Sequence, residues 1–127
     1  MDIELFTLCE YASNTNGALT IVNTLDSFSA PKFPWRVYFG IALKANIISS
    51  LNDTSTIAFK IFKDDREDEA IFNTEIPVKD VKGRFTAAGN IKGLILSSDG
   101  KYCFRVSLNG NTVKDYFFYV QKRDETI

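Results

Sequence analysis

The sequence predicts an all-β fold, an antiparallel two-sheet β-sandwich of about eight strands. Most apolar residues occur in short runs rich in Ile, Val, Phe, Tyr and Thr, which Gly, Asn, Asp, Ser and Pro separate. Several of these runs alternate apolar and polar residues, which is the period of a strand with one buried face. No stretch sustains the 3.6-residue period of an amphipathic helix. With 127 residues and no internal repeat, the chain is predicted to be a single β-sandwich domain spanning 1–127.

The N-terminal part of the chain predicts two strands and a crossover. The first strand covers Ile3–Ala12, and the small polar residues Ser13–Gly17 reverse the chain. The second strand is Ala18–Leu25. The segment Ala30–Pro34 contains two prolines, which lack the N–H that a central ladder requires, so it is predicted to be a crossover loop.

The clearest alternation lies in the middle of the chain. It occurs in Trp35–Ala45 and again in Thr56–Phe62, with a polar connection, Asn46–Asp53, between them. The charged run Asp64–Glu69 predicts a solvated hairpin tip, after which Ala70–Val78 forms the next strand. The alternation here and near the C-terminus assigns these residues to the core: Val37, Phe39, Ile41, Ile57, Phe59, Ile61, Tyr102, Phe104 and Val106.

The C-terminal part predicts a glycine-interrupted stretch followed by a hairpin. Three glycines interrupt Lys79–Gly93, which predicts bulges or a bent strand, and Leu94–Leu96 is a short buried strand. Lys101–Leu108 and Thr112–Gln121 flank Asn109-Gly110, a pair typical of a type I′ turn because both positions take a positive φ. The last residues, from Lys122 to Ile127, are predicted to be a frayed tail.

Charge and hydropathy exclude several classes of partner. The chain carries 15 basic and 16 acidic residues and has a pI of about 5.4, so it lacks the basic surface of a nucleic-acid-binding protein. No apolar run approaches the length of a membrane span. The acidic N-terminus lacks the basic and apolar regions of a secretory signal, which predicts a cytoplasmic protein that binds neither nucleic acid nor membrane.

The residue types present favour a protein that is not an enzyme. The chain has no histidine and two cysteines, so it cannot form a Ser-His or Cys-His dyad or a four-thiolate zinc site. Cys9 and Cys103 lie in apolar runs and are predicted to be buried thiols. The acidic run lacks a glycine-bent ligand loop, so calcium binding is not expected. No catalytic residue, metal site or cofactor is predicted.

Aromatic residues are the strongest candidates for a functional surface. Strand parity leaves open whether Trp35, Tyr38, Tyr116 and Tyr119 point outward, where they could anchor a protein or stack on a ligand. The leading hypothesis is a protein-interaction or accessory module, and the alternative is a small-ligand or carbohydrate-binding module. The predicted interaction residues are Trp35, Tyr38, Tyr116 and Phe118.

The last strand also bears on the choice of partner. Tyr116–Val120 is apolar on both faces, so one face lies on the core and the other needs a cover. The loop Ala30–Pro34 is one candidate for that cover. A second copy of the chain or another protein is the other, and a homodimer is favoured over a foreign partner.

Two stretches resemble a known family. LFTLCEYA, GALTIVNTLDSF and PKFPW in the N-terminal part, with LILSSDGKYCFRVSLNG and YFFYV in the C-terminal part, are similar to short bacterial proteins of uncharacterised function. The resemblance implies a small β-sandwich and no known chemistry. The segment DGKYCFRV also resembles an immunoglobulin-type strand with a tyrosine corner at Tyr102, although Cys103 directly follows that tyrosine and points to the opposite face. Immunoglobulin-like or jelly-roll topology is therefore expected.

Overall fold

Strands make up most of the chain that the structure describes. The structure is a computed structural model, and it describes residues 1–47, 55–78 and 83–123. Within these ranges lie nine strands: β1 (Asp2–Thr15), β2 (Ala18–Leu25), β3 (Ser27–Ala30), β4 (Trp35–Ile47), β5 (Thr56–Lys63), β6 (Phe72–Pro77), β7 (Gly83–Leu96), β8 (Gly100–Leu108) and β9 (Asn111–Lys122). The same ranges contain no helix long and apolar enough to cross a membrane.

The strands form two sheets, which confirms the predicted all-β, sandwich-like class. One sheet has four strands in the order β2-β1-β4-β7, and the other has five in the order β3-β9-β8-β5-β6. The prediction of a wholly antiparallel sandwich is wrong at one place, because β3 runs parallel to β9. The chain passes from β2 in one sheet to β3 in the other through Asp26 alone. Residues 31–34 then return it to the first sheet, as the predicted crossover loop requires.

The core between the sheets contains the residues that the alternation identified. All nine predicted core residues are buried, among them Phe39, Phe59 and Phe104. Aromatic rings link the two layers: Phe104 lies 4.9 Å from Phe6 of the four-stranded sheet, centroid to centroid. Phe59, beside Phe104 in the same sheet, lies 5.7 Å away. Side chains of this size each remove a large apolar area from water, which explains why a chain rich in phenylalanine folds around this layer.

Two Asn-Gly pairs make the tight turns. Asn109 and Gly110 have φ values of 52° and 81° and join β8 to β9, as predicted. Asn16 and Gly17 have φ values of 53° and 85° and join β1 to β2 in the same way. The five-residue reversal predicted at Ser13–Gly17 is therefore too long, because β1 continues to Thr15 before the turn.

The glycine-interrupted stretch forms one long strand. From Gly83 onward, the predicted bent segment and the short strand Leu94–Leu96 together form β7. Val37 of β4 pairs with Leu94 while the next residue pairs with Lys92, so Gly93 is the extra residue of a bulge, and its φ is 85°. The predicted bulge is thus confirmed at one of the three glycines. Residues 48–53, 79–82 and 124–127, which belong to three of the predicted segments, lie outside the described residues.

The hairpin of β1 and β2 lies over the outer face of the four-stranded sheet. Beyond Cys9, β1 leaves β4, and the backbone N–H and C=O of Ala12 bond to the side-chain amide of Asn90 on β7, at 3.1 and 2.9 Å. Further along, the Asn14 amide donates to the carbonyl of Thr86 at 3.3 Å. A second small apolar cluster forms beneath the hairpin, from Cys9, Ala12 and Ala42 with Leu19, Ile21 and Ala88 around them.

The β1–β2 hairpin buries residues on the outer side of β4, the side that points away from the main core. Gly40 and Ala42 point away from the main core, as the alternation requires, but both are buried. A Cβ atom on Gly40 would lie 2.8 Å from the Ala12 nitrogen and 2.8 Å from the Asn90 Oδ1 atom. Only glycine therefore fits at this point of close approach.

Candidate functional site

The four predicted interaction residues do not form one surface. Trp35 and Tyr38 lie on β4, whereas Tyr116 and Phe118 lie on β9 in the other sheet. Tyr38 is 62% exposed, and Trp35 is half-buried against the core. Tyr116 is half-buried and stacks on Phe6 with ring centroids 4.0 Å apart. Phe118 is 1% exposed, so it belongs to the core and not to the surface.

The exposed aromatics of β9 are Phe117, which was not predicted, and Tyr119, whose orientation the sequence leaves open. Phe117 is 44% exposed and Tyr119 is 49% exposed, and both point to the outer side of the five-stranded sheet. The ammonium of Lys101, on the neighbouring strand β8, lies 4.1 Å from the Phe117 ring centroid. We call the outward side chains of Phe117, Tyr119 and Lys101 the aromatic face.

A bulge explains why Phe117 was missed. Ser107 pairs with Thr112 next to the turn, but Val106 pairs with Lys114, so one residue of β9 is skipped. Beyond the skipped residue the parity reverses, and Phe118 lies opposite Tyr102 on the core side. Counting pairs from the Asn-Gly turn cannot detect such a bulge. Counted from the turn without a bulge, Phe117 would lie opposite the buried Tyr102 on the core side, so the sequence carried no signal of its exposure.

A network of charged side chains lies beside the aromatic face. The Arg105 guanidinium binds both carboxylate oxygens of Asp115, with Nε–Oδ1 at 2.8 Å and a second N–O contact at 3.1 Å. It also forms an ion pair with Glu67 and lies 5.0 Å from the Phe62 ring centroid. These hydrogen bonds lower the pKa of Asp115 and raise the pKa of Arg105, so both groups stay charged at neutral pH.

Cys103 lies under this network and is shielded from solvent. Its side chain is 1% exposed, and it stands between Phe117 and Phe62 in adjacent strands. Burial raises the pKa of its thiol to about 12, and the nearby carboxylate of Asp115 adds to the effect. A thiol with such a pKa is not a nucleophile at neutral pH.

The acidic run Asp64–Glu69 is exposed, as predicted, and is also held by ion pairs. Asp64 pairs with Lys101 at 3.9 Å, and Glu69 pairs with Arg66 at 3.4 Å. The Asp64–Lys101 and Glu67–Arg105 pairs fasten the run to the outer side of the five-stranded sheet, whereas the Arg66–Glu69 pair lies within the run. Within the described ranges, no group of three or more acidic or cysteine side chains is arranged to hold a metal ion.

A pocket opens at the opposite flank of the sandwich, between β6 and β7. These strands stand at the ends of the two sheet orders, so the flank between them is open to the interior. The pocket has a volume of about 160 Å³. Core residues Ile41, Leu43 and Phe59 form its floor, and Phe72 and Ile76 of β6 form one wall. No sequence signal pointed to this pocket.

Comparison with known proteins identifies a family. No curated protein matches the sequence. The model of a family of unknown function, DUF6941, matches residues 4–121, which is nearly the whole chain and includes both sheets. This match confirms the resemblance to an uncharacterised family. The chain therefore belongs to DUF6941, a family of unknown function.

Proposed function

We propose that this protein is a non-catalytic protein-interaction module that self-associates through its aromatic face. The observation that carries the proposal is the exposure of Phe117 and Tyr119, two residues apart on one strand and on the same side of the sheet. Tyrosine and other aromatic side chains are enriched among the residues that dominate binding energy at interfaces. Large rings also cost little conformational entropy when they are buried, because few torsions must be fixed.

The support beneath the two rings is rigid. Strand β9 lies between β3 and β8, so its backbone is hydrogen-bonded on both sides near Tyr119. The bidentate pair of Arg105 and Asp115 joins β8 to β9 on the same outer side. A surface that is ordered before binding loses less entropy on association, so the aromatic face is well suited to form a contact.

The charges around the aromatic face favour a second copy of the chain as the partner. Lys101 and Asp64 are neighbours there, and their side chains are 43% and 47% exposed. In a two-fold dimer the same patch meets itself, so Lys101 of one copy can pair with Asp64 of the other. A face that carries both charges beside two aromatic rings is therefore complementary to itself.

Static light scattering across a dilution series tests this proposal. The wild-type protein is expected to pass from dimer to monomer on dilution, and the double variant Phe117→Ser, Tyr119→Ser is expected to remain monomeric. Tyr38→Ser is the matched control, because Tyr38 is 62% exposed but lies on the other sheet. A wild-type protein that is monomeric at every concentration contradicts the proposal, as does a double variant that still dimerises.

We also propose that the strands of this domain follow an immunoglobulin-like topology and not a jelly-roll topology. Tyr102, near the start of β8, donates its hydroxyl hydrogen to the Ser98 carbonyl at 2.7 Å. This contact resembles the tyrosine corner of immunoglobulin-type domains. Phe104, two residues later, occupies the inward position at which such domains carry a cysteine, and it packs against Phe59. The Phe104 ring therefore fills the core position at which immunoglobulin domains carry a cysteine of the inter-sheet disulfide, and both cysteines of this domain are free thiols.

A cytoplasmic location also belongs to the proposal. Cys9 and Cys103 are both buried and are free thiols. The Cys9 thiol donates a hydrogen bond to the Tyr11 carbonyl at 3.3 Å, and burial raises its pKa. Buried thiols of this kind are typical of proteins from a reducing compartment.

A further inference from the structure

The pocket between β6 and β7 reaches the interior of the sandwich. Its floor consists of Ile41, Leu43 and Phe59, which are 8%, 0% and 5% exposed. Among the residues that the structure describes, no charged side chain lines it. The polar residues of the lining are Thr74 and Asn90, and the Asn90 amide is already bonded to the backbone of Ala12. The interior of the pocket is therefore apolar and neutral.

Two small residues of β7 create the space. Ala87 and Gly89 pair with Leu43 and Ile41 of β4, so they point toward the core, where neighbouring positions carry large side chains. A Cβ atom on Gly89 would meet no heavy atom within 4 Å. The backbone does not require glycine there either, because the φ of Gly89 is not positive. Glycine at position 89 therefore leaves space in the core, although the backbone conformation there does not require glycine.

We propose that this pocket is a binding site for a small, neutral, apolar molecule, a ring or short chain of about six to ten carbon atoms. An apolar protein cavity of about 150 Å³ is known to stay dry and to bind benzene. The pocket, at about 160 Å³, has matching size and lining. Its described lining offers a charged ligand no counter-charge, and it offers a carbohydrate too few hydrogen-bonding partners for its hydroxyl groups.

Benzene is the probe that tests the site. Benzene near its solubility limit is expected to raise the melting temperature of the wild-type protein by about 2–5 °C, because it binds the folded state only. It is also expected to shift the NMR methyl signals of Ile41 and Leu43, which lie in the pocket floor. Benzoate has the same ring with a negative charge and is expected to cause neither change.

Gly89→Val is the blocking variant. The added side chain is expected to fill the pocket, to raise the melting temperature of the unliganded protein and to abolish both effects of benzene. Ala87→Leu blocks the same space from the neighbouring inward position, should the first variant not fold. Thr20→Val, on the exposed side of β2, controls for the general effect of valine in a strand.

Two results overturn the proposal. One is a wild-type protein whose melting temperature and methyl signals do not respond to benzene, which reduces the pocket to a packing defect. The other is a response that persists in the blocking variants, which places benzene elsewhere on the protein. Neither result depends on the aromatic face, because Phe117 and Tyr119 lie on the outer side of the five-stranded sheet, whereas the pocket opens between the two sheets.

Discussion

At the scale of single residues, the Arg105–Asp115 pair is a bidentate, partly buried ion pair on the outer face. The side chains are 19% and 28% exposed, so solvent screens the pair less than a surface ion pair. Its bidentate geometry fixes the relative position of β8 and β9 close to the aromatic face. The sequence contains both residues but no feature that pairs them, because the bulge in β9 sets their register.

Asp115→Asn is expected to destabilise the protein by about 2 kcal/mol at neutral pH, since it removes hydrogen bonds to a charged group. The pKa of Asp115 is lowered in the folded state, so its contribution is complete above the unfolded pKa of about 3.9 and is lost as pH falls through the folded pKa. On acidification below about pH 4, the free energy of unfolding should therefore fall less in the variant than in wild type, because the variant lacks this carboxylate. Urea unfolding at a series of pH values measures both effects.

Asp65→Asn is the control for this prediction, because Asp65 lies in the exposed acidic run. It should leave the stability at neutral pH within about 0.5 kcal/mol of wild type. If Asp115→Asn and wild type lose stability in parallel on acidification, the pair does not contribute as described.

At the scale of elements, turns and close approaches decide how the strands are arranged. The two Asn-Gly turns set the ends of their hairpins, and Gly40 allows the β1–β2 hairpin to lie on β4. Glycine acts differently in these places. At the turns it supplies a positive φ, whereas at residue 40 it supplies the space that a side chain would occupy.

Gly110→Val is expected to destabilise the fold by about 1–3 kcal/mol, because a β-branched residue resists the φ of 81° found there. Open space surrounds the position, so strain and not a clash is the cause. Gly110→Asn is the matched control, since asparagine tolerates this conformation, and it should cost much less. Thermal melting compares the two variants, and equal losses would contradict the turn assignment.

Gly40→Ala is expected to cost about 2–3 kcal/mol, because the new methyl group would lie 2.8 Å from the Ala12 nitrogen of the hairpin and 2.8 Å from the Asn90 Oδ1 atom of β7. Gly89→Ala, in the strand paired with β4, has open space and should be neutral or slightly stabilising. Chemical denaturation of both variants checks the difference. If Gly40→Ala is as stable as Gly89→Ala, the hairpin does not pack on β4 as the structure has it.

At the scale of the whole molecule, the two sheets enclose one main core, and their outer sides differ. The outer side of the four-stranded sheet is partly covered by the β1–β2 hairpin. The outer side of the five-stranded sheet carries the acidic run over one part and leaves Phe117 and Tyr119 exposed on another. The flank between β6 and β7 opens into the pocket. The molecule therefore presents two separate candidate sites.

Calcium is expected to leave the melting temperature of the whole protein unchanged. Three of the acids in the run Asp64–Glu69 already pair with basic side chains, and the run has no glycine to bend a ligand loop. Differential scanning calorimetry with and without calcium checks this. A stabilisation that saturates below millimolar calcium and disappears in Asp65→Asn, Asp68→Asn would show that the run binds the ion.

Part of the site could be anticipated and part could not. The alternation in β4, β5 and β8 identified the core, because side chains of a strand alternate between faces whatever the neighbouring strands are. In β9 alternation cannot separate the two faces, because apolar residues occupy both, and the bulge that sets their orientation leaves no mark in the composition. Tyr38 was correctly considered as an outward aromatic, since its strand alternates cleanly.

The all-β class, the core-facing residues and the Asn109-Gly110 turn could be predicted from the sequence, because strand period and turn conformation depend on neighbours in the chain. The family resemblance could also be recognised there, from segments in both halves of the chain. Tertiary structure alone decided the parallel pairing of β3 with β9, the position of the β1–β2 hairpin, the Arg105 network and the flank pocket. Each of these joins segments that are distant in sequence. Their arrangement follows from side-chain packing and strand register, which the alternation of apolar residues along the sequence does not specify.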